Sequence, residues 1–392
     1  MLMVIFGAGA SYDSSRDFPL PEPPVVNQTV SAANQNFGTP PPPPQPPPPD
    51  PGIPWRPPLT SNLFLDTNAQ FGSIVQKYPK LHGILDFLRR PQSGSVEQQL
   101  ELYLDQASAD QERTRQLLSV RYYLHDLFRM VSDEWLKRTN GVTNYATLID
   151  QIRTRNTSGE PVCLVSFNYD VLLDNAISAL GASAQPLERL FDAHPVFKLF
   201  KPHGSITWAR LVDRPAPTRD PRILTPASFR DRERPRRSPQ QLIEQAPQLD
   251  LSKQYVIANA TEPTQMFNFD WSIIPAIAIP VQTKTNDTFE WPDTHRAQFE
   301  SLLPRVRKIL IIGWRAKEEH FLNLLRENLP KGGLTQITHL QVVGRDTREA
   351  TNISEQFIAD IRRDVKKLPT AAPAQGFSQF VRQELVNFLF TE

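Results

Sequence analysis

Three short groups of residues have polar side chains, two of them together with glycines, in patterns that could do chemistry. They are Gly7-Ala-Gly-Ala-Ser11, Ser166-Phe-Asn168-Tyr-Asp170 and Pro202-His203-Gly204. Glycines let a backbone approach a pyrophosphate closely, and the amides and the serine hydroxyl that follow can donate to its oxygens. A histidine titrates near neutral pH and can accept a proton during a reaction. These residue types therefore suit phosphate binding and proton transfer.

Each group also has a structural interpretation, which the sequence leaves open. Gly7-Ala-Gly9 fits a tight turn and is not a complete six-residue dinucleotide fingerprint. Asn168 and Asp170 are residue types that begin helices, and Asp170 is the better placed of the two to cap one. His203 lies between a proline and a glycine at the end of an apolar run. This is not the position of a histidine that only packs in the core.

Buried strands are needed to position these groups. Leu2–Phe6 is a short apolar run that ends at the first glycine, 161–167 is a second that leads into Asn168, and Lys308–Ile312 is a third that leads into Gly313-Trp314. Short continuous apolar runs are typical of parallel strands buried on both faces. The carboxyl ends of such strands border the ligand crevice of an open α/β sheet, so we expect the groups to meet there.

Strands and helices alternate along much of the sequence, which predicts an α/β fold with a doubly wound, Rossmann-like parallel sheet. Residues 1–18 and 156–392 are assigned to this α/β domain. The further predicted strands are Val196–Phe200, Tyr255–Ala258 and Gln336–Val343. The predicted helices are Val171–Leu180, Thr294–Leu303, Glu318–Asn328, Ser354–Lys367 and Gln375–Leu389.

A helical insertion is predicted over 59–155, because apolar residues repeat there at three- and four-residue steps along one face. His82 and His125 lie in this insertion, and neither is given a role, since a lone histidine on a helix usually packs or faces solvent. The clearest repeat is Leu117, Val120, Leu124, Leu127, Phe128, Val131 and Trp135.

Two segments depart from ordinary globular composition. Many of the 38 prolines fall within 19–58, where we expect a disordered insertion, with a proline-rich docking motif as the alternative. Within 209–250, the stretch from Arg210 to Arg237 is rich in arginine and proline. It predicts a solvated basic loop or, alternatively, a phosphate-binding surface, so direct nucleic-acid binding stays open.

The composition of the whole chain narrows the class of protein. A formal net charge of +1 over 392 residues gives no global attraction to nucleic acid or to an anionic membrane. The one cysteine, Cys163, excludes a disulfide framework and a cysteine-based zinc site. Since no apolar run is long enough for a membrane span and the first residues lack the features of a signal peptide, we expect a cytoplasmic protein without membrane contact.

In their order along the chain, these groups resemble the sirtuin family, and more closely its bacterial branch of sirtuin-like NAD hydrolases in antiphage defence. The resemblance covers roughly 1–12 and 158–345. It implies NAD as the bound dinucleotide. In the family a Gly-Ala-Gly-x-Ser loop holds the NAD phosphates, and the matching residues here are Gly7, Ala8, Gly9 and Ser11.

The family's Asn-x-Asp motif is matched by Asn168 and Asp170, and its His-Gly pair by His203 and Gly204. The resemblance implies that Asn168 hydrogen-bonds the ribose or the attacking water. It implies that Asp170 orients the carboxamide or lends negative charge near the reacting carbon. It also implies that His203 polarises a ribose hydroxyl.

The adenosine side of the cofactor is less clearly marked. Gly313 matches the family's adenosine-side turn, although Trp314 stands where the family usually has serine or threonine. Gly344, Arg345 and Asp346 follow the next predicted strand and are candidates for the adenosine ribose, because that loop should border the same crevice. A salt-bridged surface turn is the alternative.

The cysteine count bears on the activity that the resemblance implies. Protein deacylases of the family carry a four-cysteine zinc ribbon, which a chain with one cysteine cannot form. The resemblance therefore implies an enzyme without zinc that transfers ADP-ribose to water, an NAD⁺ glycohydrolase. Two alternatives remain: a non-catalytic sensor of NAD or ADP-ribose, and a protein deacylase without zinc.

The resemblance also implies partners. It suggests homo-oligomerisation, or control by a hexameric ATPase or an Argonaute-like nucleic-acid-binding protein. The candidate contact surfaces are the amphipathic face of Leu117–Trp135 and the basic loop Arg210–Arg237.

Overall fold

A computed structural model describes most of the chain. The described residues are 1–18, 54–89, 95–107, 110–156, 159–212, 237–249, 251–258, 272–281, 289–330, 337–361 and 376–390. Most of the proline-rich segment 19–58 and most of the basic loop within 209–250 lie outside these residues. The predictions made for both segments therefore stay predictions.

A five-stranded parallel sheet forms the centre of the molecule and confirms the predicted α/β class. Its spatial order is β3-β2-β1-β7-β8. The chain runs outward from β1 through β2 to β3, then returns to the other side of β1, so the order reverses between β1 and β7. A reversal of this kind opens a crevice at the carboxyl ends of the strands. The strands are β1 Leu2–Phe6, β2 Val162–Ser166, β3 Phe197–Phe200, β7 Lys308–Ile312 and β8 His339–Val343.

Helices cover both faces of this sheet, and successive residues of β1 enter different cores. Met3 and Ile5 belong to one core, whereas Val4 and Phe6 belong to the core on the opposite face. All four side chains are fully buried. Burial on both faces explains why these strands are continuous apolar runs and why they could be recognised in the sequence.

A second, antiparallel sheet was not predicted. Its strands are β4 Gly204–Val212, β5 Leu251–Ile257 and β6 Ile273–Ile277, with β4 in the middle. The expectation that Tyr255–Ala258 belongs to the parallel sheet is wrong, since this segment falls in β5 and beside it. The sequence of β6 contains Pro275, which cannot donate to a ladder and is tolerated because β6 pairs on one side only.

Most of the predicted helices are confirmed in position, apart from their ends. The helix Pro239–Gln245 was not predicted, and the predicted helix Gln375–Leu389 is two helices, Gly376–Gln383 and Leu385–Phe390. None of the described helices is long and apolar enough to cross a membrane. They are α1 Ala8–Tyr12, α2 Phe71–Lys77, α3 His82–Leu88, α4 Val96–Ala107, α5 Gln111–Arg138, α6 Asn144–Arg155, α7 Leu172–Ser178, α8 Pro239–Gln245, α9 Asp293–Leu302, α10 Glu319–Asn328, α11 Thr347–Ile361, α12 Gly376–Gln383 and α13 Leu385–Phe390.

The long helix α5 organises a core of its own. Its apolar side packs with α2 to α4 and with the inner face of the antiparallel sheet, including Ile206 and Ile277. The predicted repeat from Leu117 to Trp135 is buried throughout, at most 6% exposed at any of its members. The expectation that this face is a contact surface for a partner is therefore wrong, because the chain itself covers it.

The turns after β1 and β7 touch through their backbones. The Gly7 amide donates to Ile312 O at 3.0 Å and the Gly9 amide to Gly313 O at 3.1 Å. A Cβ atom on Gly7 would lie 2.5 Å from Gly313 O. A Cβ atom on Gly313, whose φ is +60°, would lie 2.3 Å from the Ala10 nitrogen. Glycine at these positions lets the two turns close the switch point of the sheet.

We expect Gly313→Ala to lower the free energy of unfolding by about 3 kcal/mol, because it combines a left-handed backbone with a clash against backbone atoms. Gly141→Ala is the matched control, since Gly141 also has a positive φ, +72°, but nothing lies within 4 Å of its added Cβ. The control should cost about 1 kcal/mol. Urea unfolding of both variants measures the difference, and equal losses would contradict the role of the close approach.

Candidate functional site

A buried group of hydrogen bonds lies where β1 and β2 end. The Ser11 hydroxyl, on α1, donates to Asp170 Oδ2 at 2.6 Å. A serine hydroxyl has one proton, so Ser11 Oγ can only accept from its other neighbours. Those neighbours are the Tyr145 hydroxyl at 2.9 Å and Asn168 Nδ2 at 2.9 Å. We call these four residues the Ser11 cluster, and each is at most 6% exposed.

The cluster fixes how the Asn168 amide is turned. Its nitrogen Nδ2 lies 2.9 Å from Gly7 O, which can only accept, and 3.1 Å from the Tyr145 hydroxyl. The nitrogen therefore faces the β1 turn. In the part of the chain that the structure describes, no donor reaches Asn168 Oδ1, and this oxygen is not sealed in the interior. The site thus presents one fixed hydrogen-bond acceptor at the edge of the sheet.

Asp170 is held inside the protein. Its Oδ1 accepts from the amide of Leu172, the first residue of α7, at 3.1 Å. Burial raises the pKa of the Asp170 carboxyl above its usual value, whereas the charge of Lys201 and the hydrogen bonds from Ser11 and Leu172 lower it. The N-cap of α7 is Val171, so Asp170 is not the cap that the sequence favoured, although its carboxylate accepts from the first amide of the helix and also supports the Ser11 cluster.

Lys201 joins the end of β3 to the Asn168 turn. Its fully buried ammonium donates to Asp170 O at 2.6 Å, to Asp174 Oδ2 at 2.9 Å and to Ser205 Oγ at 3.2 Å. An ammonium has three protons, and each has an acceptor here. The lysine supplies the positive charge that offsets the burial of Asp170.

His203 lies in the turn between the two sheets and is 7% exposed. Backbone bonds hold this turn: Ala278 N donates to His203 O at 2.9 Å, and Gly204 N donates to Lys201 O at 3.0 Å. Gly204 has a φ of +77°, and a Cβ atom there would lie 1.8 Å from Ala276 O. Only glycine fits at this position, which explains the His-Gly pair.

Aromatic packing sets the orientation of the His203 ring. The edge of the ring meets Phe167, with the centroids 4.8 Å apart at 67°. Phe167 directly precedes Asn168, so the Asn168 and His203 turns are neighbours. On its other side Phe167 stacks on Trp314 at 5.1 Å and 8°.

The structure brings the predicted residues of the β1, β2 and β3 ends together, but it gives some of them other partners than expected. The Ser11 hydroxyl donates to Asp170, and the Gly7 and Gly9 amides donate to the β7 turn. Trp314 is 2% exposed and its indole nitrogen donates to Glu318 at 2.6 Å. Their part in cofactor binding remains a prediction, as does that of Ala8, which opens α1 beside the same turn.

Tyr145 and Lys201 were missed in the sequence. Tyr145 is separated from Ser11 by 134 positions, and nothing in its helical surroundings marks it. Lys201 did carry a signal, since a lysine at the end of an apolar strand needs a buried partner. Among the described residues no group of three or more histidine, cysteine, aspartate or glutamate side chains could hold a metal ion.

No protein-family model matches this chain, and no relative is found among curated proteins. The chemistry of the site is therefore inferred from its own geometry and from the residue patterns of the sequence.

We expect Lys201→Met to be strongly destabilising at pH 7, by about 3–5 kcal/mol, because it removes the buried ion pair with Asp174 and the positive charge that stabilises the buried Asp170 carboxylate. Loss of the lysine raises the pKa of Asp170 further. A carboxyl whose pKa is raised in the folded state loses stability as pH rises from its unfolded toward its folded value. The loss should therefore be smaller at pH 4 than at pH 7 by about 1 kcal/mol or more.

Urea unfolding at the two pH values measures this difference. Lys198→Met, on the same strand, is the control, because its partner Asp192 is 39% exposed and water replaces the lost contact. A Lys201→Met variant with the same destabilisation at both pH values would contradict the proposed coupling to Asp170.

Proposed function

We propose that this chain is an NAD⁺ glycohydrolase, which breaks the nicotinamide–ribose bond and gives nicotinamide and ADP-ribose. The observation that carries the proposal is the acceptor Asn168 Oδ1, which no donor of the described residues reaches, on an amide fixed by the Ser11 cluster beside the His203 turn at the carboxyl edge of the sheet. That edge, where the strand order reverses, is where open α/β sheets bind nucleotides.

The reaction needs little from acid catalysis. Nicotinamide is a cationic leaving group, so the bond from C1′ of the ribose to nitrogen breaks with its electron pair going to nicotinamide. The oxygen of a water molecule then bonds C1′ and loses a proton. An enzyme must stabilise the positive charge on the ribose and position that water.

In this proposal Asn168 Oδ1 accepts a hydrogen bond from the attacking water or from a ribose hydroxyl. His203 polarises a ribose hydroxyl and takes the proton that the water releases. Asp170 does not contact the substrate in this proposal. Its carboxylate is 3% exposed and is bonded to Ser11 and to the Leu172 amide. Its negative charge favours a cation above the site, which is an electrostatic effect that needs no contact.

The resemblance to sirtuin-like NAD hydrolases supports the same function. The loop of Gly7 to Ser11, the Asn168 to Asp170 motif and the His203-Gly204 pair are far apart in the sequence, yet all lie at one edge of the sheet. We include in the proposal a role in depleting NAD during antiphage defence, with activity released by a second copy of the chain or by an ATPase or Argonaute-like partner. An unregulated hydrolase would destroy a cofactor that its own cell needs.

Release of free nicotinamide from NAD by the purified chain, with and without an acyl-lysine peptide, tests the proposal directly. Release without the peptide supports a glycohydrolase. Release only with the peptide would indicate a deacylase, and binding of NAD without release would indicate a sensor.

We expect Asn168→Ala and His203→Ala each to lower turnover on the order of 10²–10⁴-fold, because each removes one positioned polar group. Asn175→Ala and His82→Ala are matched controls, since both residues are exposed on helices, α7 and α3. Nicotinamide release measures the effect, and melting curves show that the variants are folded. A folded variant of either site residue with wild-type turnover would rule out this site.

We expect Tyr145→Phe to lower kcat on the order of tenfold with little change in KM, because the Asn168 amide loses one of the groups that orient it. The ring still packs against Phe6 and Phe377. Tyr78→Phe loses a comparable bond, to Asp126 at 2.8 Å in the core around α5, and should leave kcat unchanged. Equal turnover in the two variants would show that Tyr145 is only structural.

A further inference from the structure

A groove of about 540 Å³ opens beyond the ends of β7 and β8. Four cationic side chains line it: Arg315 and Lys317 follow the Gly313 turn, and Arg345 and Arg348 follow β8. Asp346 and Glu349 line it as well. The groove lies on the carboxyl edge of the sheet, the same edge as the Ser11 cluster.

Both carboxylates that line the groove accept hydrogen bonds from backbone amides near the start of α11. Asp346 Oδ1 accepts from the Glu349 amide at 2.8 Å, and Glu349 Oε2 accepts from the Arg345 amide at 2.8 Å. The other oxygen of Asp346 faces the Arg345 guanidinium at 3.3 Å. The Glu349 amide, followed by Arg345, lowers the pKa of Asp346, so this residue is an ionised helix cap.

The cations, in contrast, are weakly paired. Arg315 is 64% exposed and approaches Glu349 only to 3.9 Å, and Arg345 is 70% exposed. Exposed pairs of this kind add little stability. Among the described residues, no acid forms an ion pair with Lys317 or Arg348. The groove therefore has more positive charge than its own acids use.

The groove and Asn168 lie on two sides of one pair of turns. Asn168 Nδ2 donates to Gly7 O, and the Gly7 and Gly9 amides bond the β7 turn, from which the chain continues to Arg315. A dinucleotide is an extended molecule that spans such a switch point. A dinucleotide with its nicotinamide ribose at Asn168 and extending across these turns has its adenosine end on the side of the groove.

We propose that this groove binds the adenosine end of the dinucleotide and selects one that carries a 2′-phosphate, so that NADP is preferred over NAD. The inference rests on the proposed function for the position of the nicotinamide end. An acidic side chain that binds the ribose hydroxyls favours NAD, whereas arginine favours the 2′-phosphate. Asp346 is held by the Glu349 amide and by Arg345, and Arg345 is 70% exposed, so Arg345 together with Arg348 can face a phosphate of charge about −1.5 to −2.

Calorimetry on the full chain tests the groove without any reaction. The probes are adenosine 2′,5′-bisphosphate and AMP, which differ only in the 2′-phosphate. We expect the bisphosphate to bind tighter on the order of tenfold, and the double variant Arg345→Ala with Arg348→Ala to lose this preference. Arg189→Ala is the control, because Arg189 is an equally exposed arginine, 66%, before β3 at the opposite edge of the sheet.

Nicotinamide release gives the second readout. In the double variant KM should rise on the order of tenfold for NADP and less than about threefold for NAD. Equal binding of the bisphosphate and AMP by the wild-type chain, or an unchanged preference in the folded double variant, would overturn the inference. A preference for the bisphosphate with no nicotinamide released from either dinucleotide would leave the groove assignment standing and overturn the proposed hydrolase.

Discussion

The buried carboxylate of Asp170 sets the direction of the hydrogen bonds around it. Because it can only accept, Ser11 must give it its single proton, and the Ser11 oxygen must then accept from Asn168 and Tyr145. The Asn168 nitrogen is thereby turned inward, toward Gly7 O as well. The orientation of the Asn168 amide is therefore a consequence of the buried charge of Asp170.

Strands and helices with a simple burial pattern can be predicted from the sequence. Features that depend on residues far away in the sequence cannot. β1 and β7 have the predicted limits because both faces of these strands are covered, which makes them plain apolar runs. β4 was not predicted, and its first residue, Gly204, belongs to the Pro202-His203-Gly204 group. α11 begins at Thr347, well before the predicted start, although Asp346 and Glu349 three positions later form a recognisable start signal.

Some residues of the candidate site could be predicted from the sequence and others could not. The glycine turns and the Asn168, Asp170 and His203 positions could be found because each comes directly after a strand. Their internal partners could not, since Tyr145 is joined to Ser11 across 134 positions and only the fold brings them together. For Asp170 the sequence allowed a helix cap and a charged site residue. The N-cap of α7 is Val171, and the Asp170 carboxylate lies one residue earlier, where it accepts from the Leu172 amide and from Ser11.

Lys201 contacts both the Asn168 turn and the His203 turn and so helps to hold their relative position. The Asn168 turn is bonded to the β1 turn through Gly7, whereas the His203 turn is bonded to the antiparallel sheet through Ala278. The pairing of β2 with β3 and the bond from the Ile206 amide to Tyr169 O hold the two turns side by side. Lys201 adds a side-chain link, because its ammonium donates to Asp170 O while its carbonyl accepts from the Gly204 amide. A neutral side chain could pack in the same space, but it could not also balance the Asp170 charge, so one residue meets both requirements.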